Sequence, residues 1–516
     1  MKNIFYILSL MLIVSVTLTS CKKEEKEKRI DTDSGYYIGE VNSDGKAHGY
    51  GVFYWNNGNR YEGEWANGHL TGKGTYYWAC GDKYEGDFVN GERTGKGTMT
   101  WKDGTTITCQ WSNGTPTDVD NKTFAIWAIK YWYYWNNTVG VINLDYYNSA
   151  SALLEAVKYR DDYQSEIYDA DRPDELYLYG REIGYGFGAR WNATGDLRVA
   201  WVYPDGPAAK QGITRGCRIT EINGATASEQ NTDNLITEAE GASVNITVEY
   251  PGGETKSIAL ASQKHDITSV LYKEVIQTPS SKVGYIVLKS LVSPNENEIN
   301  NAINTLANSN IQELILDLRY CDNSSLSTFI NTANMLVPSA ADGKVFLKCT
   351  YNQDRATNVS YLFTKTNSLN MSRIIVLTSK STYYAGEWLI LGLQPYCNMV
   401  LIGSKTDGTE AHQYLSWTLP SKREKIALTG RLVENSAGRN SLGGLQPNYS
   451  AADGLDRNWG NREESLLQSA LSFIEKGYVK SSGENAFMQS TLPLIHEPNS
   501  RMEALPPPEE IIKTSR

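Results

Sequence analysis

The residues with the clearest capacity for chemistry lie in one stretch, 373–413, RIIVLTSKSTYYAGEWLILGLQPYCNMVLIGSKTDGTEAHQ. Ser381 and Lys405 stand 24 residues apart in it. A serine hydroxyl becomes a nucleophile when a neighbouring amine of lowered pKa takes its proton. Residues 373–378 are a β-branched apolar run that predicts a buried strand, 385–396 follow a helical pattern, and 399–402 read as a second buried strand closed by Gly403. A strand running through a sharp turn into a helix N-terminus is where α/β hydrolytic enzymes often hold a nucleophile. His412 is the one histidine nearby; alone in a β-rich stretch, it reads as a surface or core residue rather than a base.

Ala385-Gly386-Glu387 and the run 403–408, Gly-Ser-Lys-Thr-Asp-Gly, carry a resemblance. The stretch resembles the core of the S41 serine peptidases, the C-terminal-processing or tail-specific proteases. That family's elbow reads S-A-[SG]-E, with the first serine as nucleophile and a lysine 25 residues later. On these landmarks the nucleophile position falls on Tyr384 and the lysine position on Thr409. A tyrosine hydroxyl is bulkier and less nucleophilic than a serine's, and threonine has no useful basicity. Residues 314–320, LILDLRY, resemble the start of the family's D-L-R-x-N-x-G-G, whose glycine amides help form an oxyanion hole. Here Cys321-Asp322-Asn323-Ser324-Ser325 follows, so the oxyanion positions fall on Asn323 and Ser324, without a glycine. Losing one oxyanion donor costs on the order of 10²–10³ in rate. Pairing Ser381 with Lys405 instead requires slips of three and four places against the landmarks.

The elements that position this stretch spread over 516 residues, enough for several domains. A net charge of −10, with basic residues interspersed among acids, gives no reason to expect nucleic-acid binding. Lys2 precedes an apolar run, 4–18, too short and wrongly flanked to span a membrane, which reads as a signal peptide over 1–20. Leu18-Thr19-Ser20-Cys21 resembles the bacterial lipobox, so Cys21 is the expected lipidated N-terminus of an envelope protein. Residues 21–35, opening KKEEKEKR after Cys21, read as a charged, disordered tether. A lysine followed by acids at this point resembles the surface-export signal of Bacteroidetes lipoproteins. Six further cysteines contain no C-x-x-C, so no zinc site, metal or cofactor is expected. A Cys80–Cys109 disulfide is conceivable, but scattered thiols are the preferred reading.

Residues 36–118 repeat. Tyr37, Tyr61 and Tyr84 open similar units at spacings of 24 and 23, with a weaker fourth at Ile107. Asn-Gly recurs at 67–68, 90–91 and 113–114. Each unit predicts a hairpin with alternating aromatic strands, and only a stack of them buries a face. The pattern resembles the MORN repeat. The aromatics either pack the stack as a spacer, the preferred reading, or line a binding surface for a protein or glycan.

Residues 119–180 read as helical. The aromatic run 124–135, FAIWAIKYWYYW, should be buried, and 148–158 has a Ser/Asn-rich cap. The pair resembles the helical N-terminal part of Bacteroides-type S41 proteins. Residues 181–262 resemble a PDZ domain. Gly184-Tyr185-Gly186-Phe187 matches its carboxylate-binding loop, and the runs 206–213 and 218–224 match its later motifs. Such a loop aims backbone N–H groups at a terminal carboxylate; the alternative is a PDZ domain that only braces the core. Residues 263–478 alternate strands and helices, which implies an α/β sheet covered on both faces. Residues 479–516, with Pro506-Pro507-Pro508, read as an extended tail. The expected fold is therefore multidomain: a β-hairpin MORN array, a small helical segment, a β-rich α+β PDZ domain and an α/β S41-like core. The expected function is that of a lipid-anchored protein which binds peptides or protein C-termini through an inactive peptidase scaffold. An active endopeptidase and a MORN-based assembly protein are the alternatives.

Overall fold

Large aromatics alternating with glycine and charge dictate how the N-terminal part folds. The computed structural model describes residues 27–160, 162, 164–171, 179–237, 239–352, 358–366, 368–408, 412–455 and 457–479. The leader, Cys21, Thr409 and the tail beyond residue 479 lie outside the described residues. The chain divides into two compact units, the first ending at Asp118 and the second starting at Val119.

The first unit is a single nine-stranded antiparallel sheet whose strands follow sequence order. Its Asn-Gly turns place both residues at positive φ, for example Asn67 at 52° and Gly68 at 90°, as a type I′ hairpin demands. Gly63 and Gly74 face each other across two strands, and Tyr61 lies over them. A Cβ on Gly74 would come within 2.3 Å of the Tyr61 hydroxyl. That hydroxyl donates to the Glu64 carbonyl at 3.1 Å, and Trp65 Nε1 donates to Gly51 O at 3.1 Å. The sheet thus covers one of its faces with its own aromatics. The tether reading fails over part of its span. Lys28–Thr32 is a strand paired with Gly35–Val41, because Arg29 stacks on Tyr36 at 4.1 Å and gives the charged segment a place on the sheet edge.

In the second unit, the helix Asn121–Trp132 is capped by Asp120 and buries every residue from Phe124 onward. Trp127 and Trp132 pack against Trp417, which belongs to the strand His412–Thr418 of a five-stranded sheet. Lys130 is tolerated inside because its ammonium donates to the carbonyls of Val139 and Gly140 at 2.8 and 2.7 Å. Ser149 caps the second helix, Ala150–Val157.

Two six-stranded sheets and two two-stranded ones follow among the described residues. The PDZ-like sheet has the order Phe187–Trp191, Leu197–Val202, Arg218–Ile222, Ser243–Glu249, Thr255–Ala261, so Phe187–Trp191 ends it. The core sheet runs Val270–Gln277, Lys282–Leu288, Glu313–Asp317, Arg373–Thr378, Asn398–Gly403, Tyr449–Ser450. It is parallel except for its first pair. Successive residues of its strands face opposite ways. Leu314, Leu316, Ile374 and Val376 join one buried cluster, which includes residues of the helices Glu296–Asn308, Leu326–Leu336 and Ala385–Leu393. Ile315, Ile375, Leu377 and Ile402 join another, with Leu466, Leu467 and Ala470 of the helix Ser465–Lys476. Both faces are covered, as continuous apolar strands require.

Candidate active site

The strand Arg373–Thr378 enters the helix Ala385–Leu393 through a turn sewn to the segment 318–322. Ser379 Oγ donates to Arg319 O, Thr382 Oγ1 to Leu318 O at 2.8 Å, and the Tyr383 and Ala385 amides to Cys321 O and Asp322 O. At the helix entry Tyr384 holds φ 28° and ψ −92°, a strained conformation for a residue with a Cβ. The expected nucleophile position is thus built as a sharp elbow, yet its side chain does not face solvent. Tyr384 is 0 % exposed, its ring 4.2 Å from that of Tyr383 and 5.9 Å from that of Trp388. Gln164 Nε2 donates to Tyr383 Oη at 3.3 Å.

The second landmark packs beside the elbow helix. Glu387, fully buried, accepts from Thr406 Oγ1 and from the Gly408 amide at 2.9 Å. Gly408 has φ 70°, and a Cβ there would lie 1.7 Å from the Gly444 nitrogen, so only glycine fits. The expected lysine position, Thr409, lies outside the described residues.

The expected oxyanion positions, Asn323 and Ser324, are engaged by local contacts. Asn323–Ser324 pairs in parallel with Ser290–Leu291. The Asn323 amide donates to Oδ1 of Asp322 at 2.6 Å, and its side-chain Nδ2 donates to the same oxygen at 3.0 Å. Oδ2 of Asp322 accepts from the buried Lys289 ammonium at 2.7 Å, and that ammonium lies 5.0 Å from the Trp201 ring centroid. A backbone donor already bonded to a carboxylate is not open to a developing oxyanion. The Ser324 hydroxyl is buried and has no hydrogen-bond partner among the described residues.

The Ser381–Lys405 hydrogen bond that the 24-residue spacing allows is not formed. Ser381 Oγ accepts from Arg190 Nη1 at 3.2 Å. Lys405 is exposed and has no hydrogen-bond or ion-pair partner among the described residues. Neither Arg190 nor Lys289 is singled out by sequence reasoning. A cation following an apolar strand is the only signal that marks Lys289, and Arg190 carries none.

In the carboxylate loop, Gly184 pairs with Gln263 and Gly186 sits at φ 77°. The carbonyls of Tyr185 and Gly186 accept from Ala208 and Tyr203, while their own amides have no partner among the described residues. The Tyr185 ring joins the core of this domain, and burial pushes its phenol up. Phe187 is buried in the same cluster. His265 Nε2 lies 3.3 Å from Glu182 Oε1. Burial works against protonation of His265, but Glu182 and the Gln263 carbonyl outweigh it and raise the imidazole above its ordinary 6.5.

The PDZ-like and core regions meet through buried charge. Arg215 Nη2 lies 2.6 Å from Asp453 Oδ1, and Arg319 bridges Asp317, Asp453 and Glu464, each at 2.7 Å. Trp459 stacks on both guanidiniums, 4.0 Å from Arg215 and 5.0 Å from Arg319. Burial alone would raise the Asp453 carboxyl; the two arginines overcome it and hold that group well below the usual carboxylate range. None of the six cysteines within the described residues forms a disulfide, Cys80 and Cys109 included.

Comparison with known proteins agrees with this architecture. Residues 282–451 match the model of peptidase family S41, 198–249 that of the PDZ domain, and 37–60, 61–83 and 84–106 that of the MORN repeat. The chain therefore carries MORN repeats, a PDZ domain and an S41 peptidase region. A crystal structure of a candidate S41 protease from Bacteroides fragilis superposes with a TM-score of 0.56 at 23 % identity, covering 71 % of this chain and 99 % of that one. The carboxyl-terminal-processing peptidase 2 of Arabidopsis thaliana chloroplasts is 26 % identical over 238 residues, 44 % of each chain. A carboxyl-terminal-processing protease of a Picosynechococcus species is 24 % identical over 215 residues, 41 % of this chain and 50 % of its own. The chain thus spans about half the length, or less, of these curated relatives.

Proposed function

We propose that this protein is a peptide-binding pseudopeptidase: an S41 scaffold that holds peptides or protein C-termini without cutting them. The observation that carries the reading is Tyr384, a fully buried phenol on the strained elbow, where catalysis needs a small accessible alkoxide. The Asn323 amide committed to Asp322 supports the same reading, as does Thr409 where the family's chemistry needs an amine. The relatives named for carboxyl-terminal processing suggest C-termini as ligands. The unbonded amides of Tyr185 and Gly186 are suited to a terminal carboxylate. The sequence Leu18-Thr19-Ser20-Cys21 supports anchoring through acyl chains on Cys21 in a bacterial outer membrane, facing the periplasm or the cell surface. The MORN stack is then a spacer between that anchor and the binding domains. The test mixes the purified protein with peptides bearing free or amidated C-termini. Binding of the free form alone, with the peptide recovered intact after prolonged incubation, is expected. Peptides recovered shortened would make the protein an active endopeptidase and end this reading.

A further inference from the structure

Arg190 is the observation that the proposed function leaves unexplained. It lies on the end strand of the PDZ-like sheet and is only 3 % exposed. A guanidinium has five N–H donors and cannot shed its charge. Arg190 directs one of them, from Nη1, at Ser381 Oγ, and makes no other side-chain hydrogen bond, ion pair or ring contact among the described residues.

The other deeply buried arginines are compensated. Arg215 and Arg319 reach carboxylates, while Arg93 and Arg431 bond to oxygen acceptors and stack on aromatic rings. Burying a cation without an opposing charge is costly unless something else compensates it. Ser381, its one partner, is only half-buried, so the pair sits where the elbow turn reaches solvent. A Ser381 hydroxyl that accepts from arginine keeps its own proton to donate.

We propose that the Arg190 guanidinium and the Ser381 hydroxyl form a receptor for a ligand carboxylate at the junction of the PDZ-like and peptidase-like domains. A guanidinium fork matches a carboxylate in geometry as well as charge, and the serine proton supplies a further donor. The inference rests on the peptide-binding reading and moves the carboxylate from the Gly184-Tyr185-Gly186-Phe187 loop to the elbow. The carboxylate belongs either to the end of a peptide or to an acidic side chain.

Fluorescence anisotropy on the purified full chain tests it with three dye-labelled, alanine-rich hexapeptides. One has a free C-terminus, one is amidated, and one is amidated with a final aspartate. Arg190→Met, Arg190→Lys and Ser381→Ala are compared with wild type, and each variant is melted. Arg190→Met should weaken the carboxylate peptides about tenfold to a hundredfold, with Arg190→Lys and Ser381→Ala intermediate. Its melting temperature should stay level or rise. Preference between the free-carboxylate and aspartate peptides assigns the source of the carboxylate, and either preference supports the receptor. Unchanged affinity in Arg190→Met returns the carboxylate to the loop amides and overturns this inference alone. A large fall in melting temperature makes Arg190 a structural tie and also overturns it. If wild type binds none of the peptides, this inference and the peptide-binding reading fall together.

Discussion

Asn67, Asn90 and Asn113 in the repeat stack and Tyr384 at the elbow all hold the backbone at positive φ, at 52°, 51°, 47° and 28°. In the stack the residue suits the conformation. Asparagine tolerates the left-handed region, and each is followed by a glycine that prefers it. At the elbow the residue does not suit it, and the conformation survives because the surroundings impose it. Amides 383 and 385 are pinned to carbonyls 321 and 322, and the ring is locked beside Tyr383 and Trp388. Strain that local sequence relieves reports only a turn. Strain that local sequence opposes is imposed by the surrounding scaffold, here by the backbone bonds and aromatic contacts that fix Tyr384.

This contrast breaks most severely at the charge cluster that holds the segments behind the elbow. Arg319→Met leaves Asp317, Asp453 and Glu464 short of compensation. We expect a loss of about 3–5 kcal/mol in unit-two stability, read by denaturant unfolding. The same cluster sets the acid response. The Asp453 carboxyl is depressed in the folded chain, below its ordinary 3.8. Its contribution is therefore full above the unfolded value and is lost as pH falls below about 4. Melting temperature measured from pH 7 down to 3 should drop in that window, and the drop should shrink in Asp453→Asn.

The elbow itself gives the next effect. Tyr384→Ala empties a packed aromatic site and should cost about 3 kcal/mol. Tyr384→Gly loses the same ring but relieves the backbone, so it should be more stable than the alanine variant by about 1 kcal/mol. Alanine as the more stable of the two would show that the elbow is unstrained. In the stack, Asn67→Ala should cost only about 1 kcal/mol, because it loses a turn preference and one exposed hydrogen bond from Asn42 but no packing. Thermal melts of that variant should leave the second unit unaffected.

Much of the fold was legible from the chain. The strand Arg373–Thr378 has the bounds its apolar run suggests, and the Asn-Gly turns carry their own geometry. Element ends were less legible. The helix expected over 385–396 stops at Leu393, just ahead of Pro395. The last helix starts at Ser465, where Glu464 caps it, and Trp459 ahead of it serves as a platform for two arginines. Of the candidate site, the landmarks pointed to Tyr384, which the structure places at a strained helix entry, and to the glycine-free segment 321–325, but not to the bond between the Asn323 amide and Asp322. Arg190 and Arg215 were not legible, since their partners lie 191 and 238 residues away and no local periodicity marks them.

The central claim is that no side chain at this elbow attacks a carbonyl. Intact-mass spectrometry after incubation with a fluorophosphonate probe measures it directly. Wild type should keep an unmodified mass under conditions that fully label an active serine peptidase. A single adduct that maps to Ser381 and disappears in Ser381→Ala would contradict it.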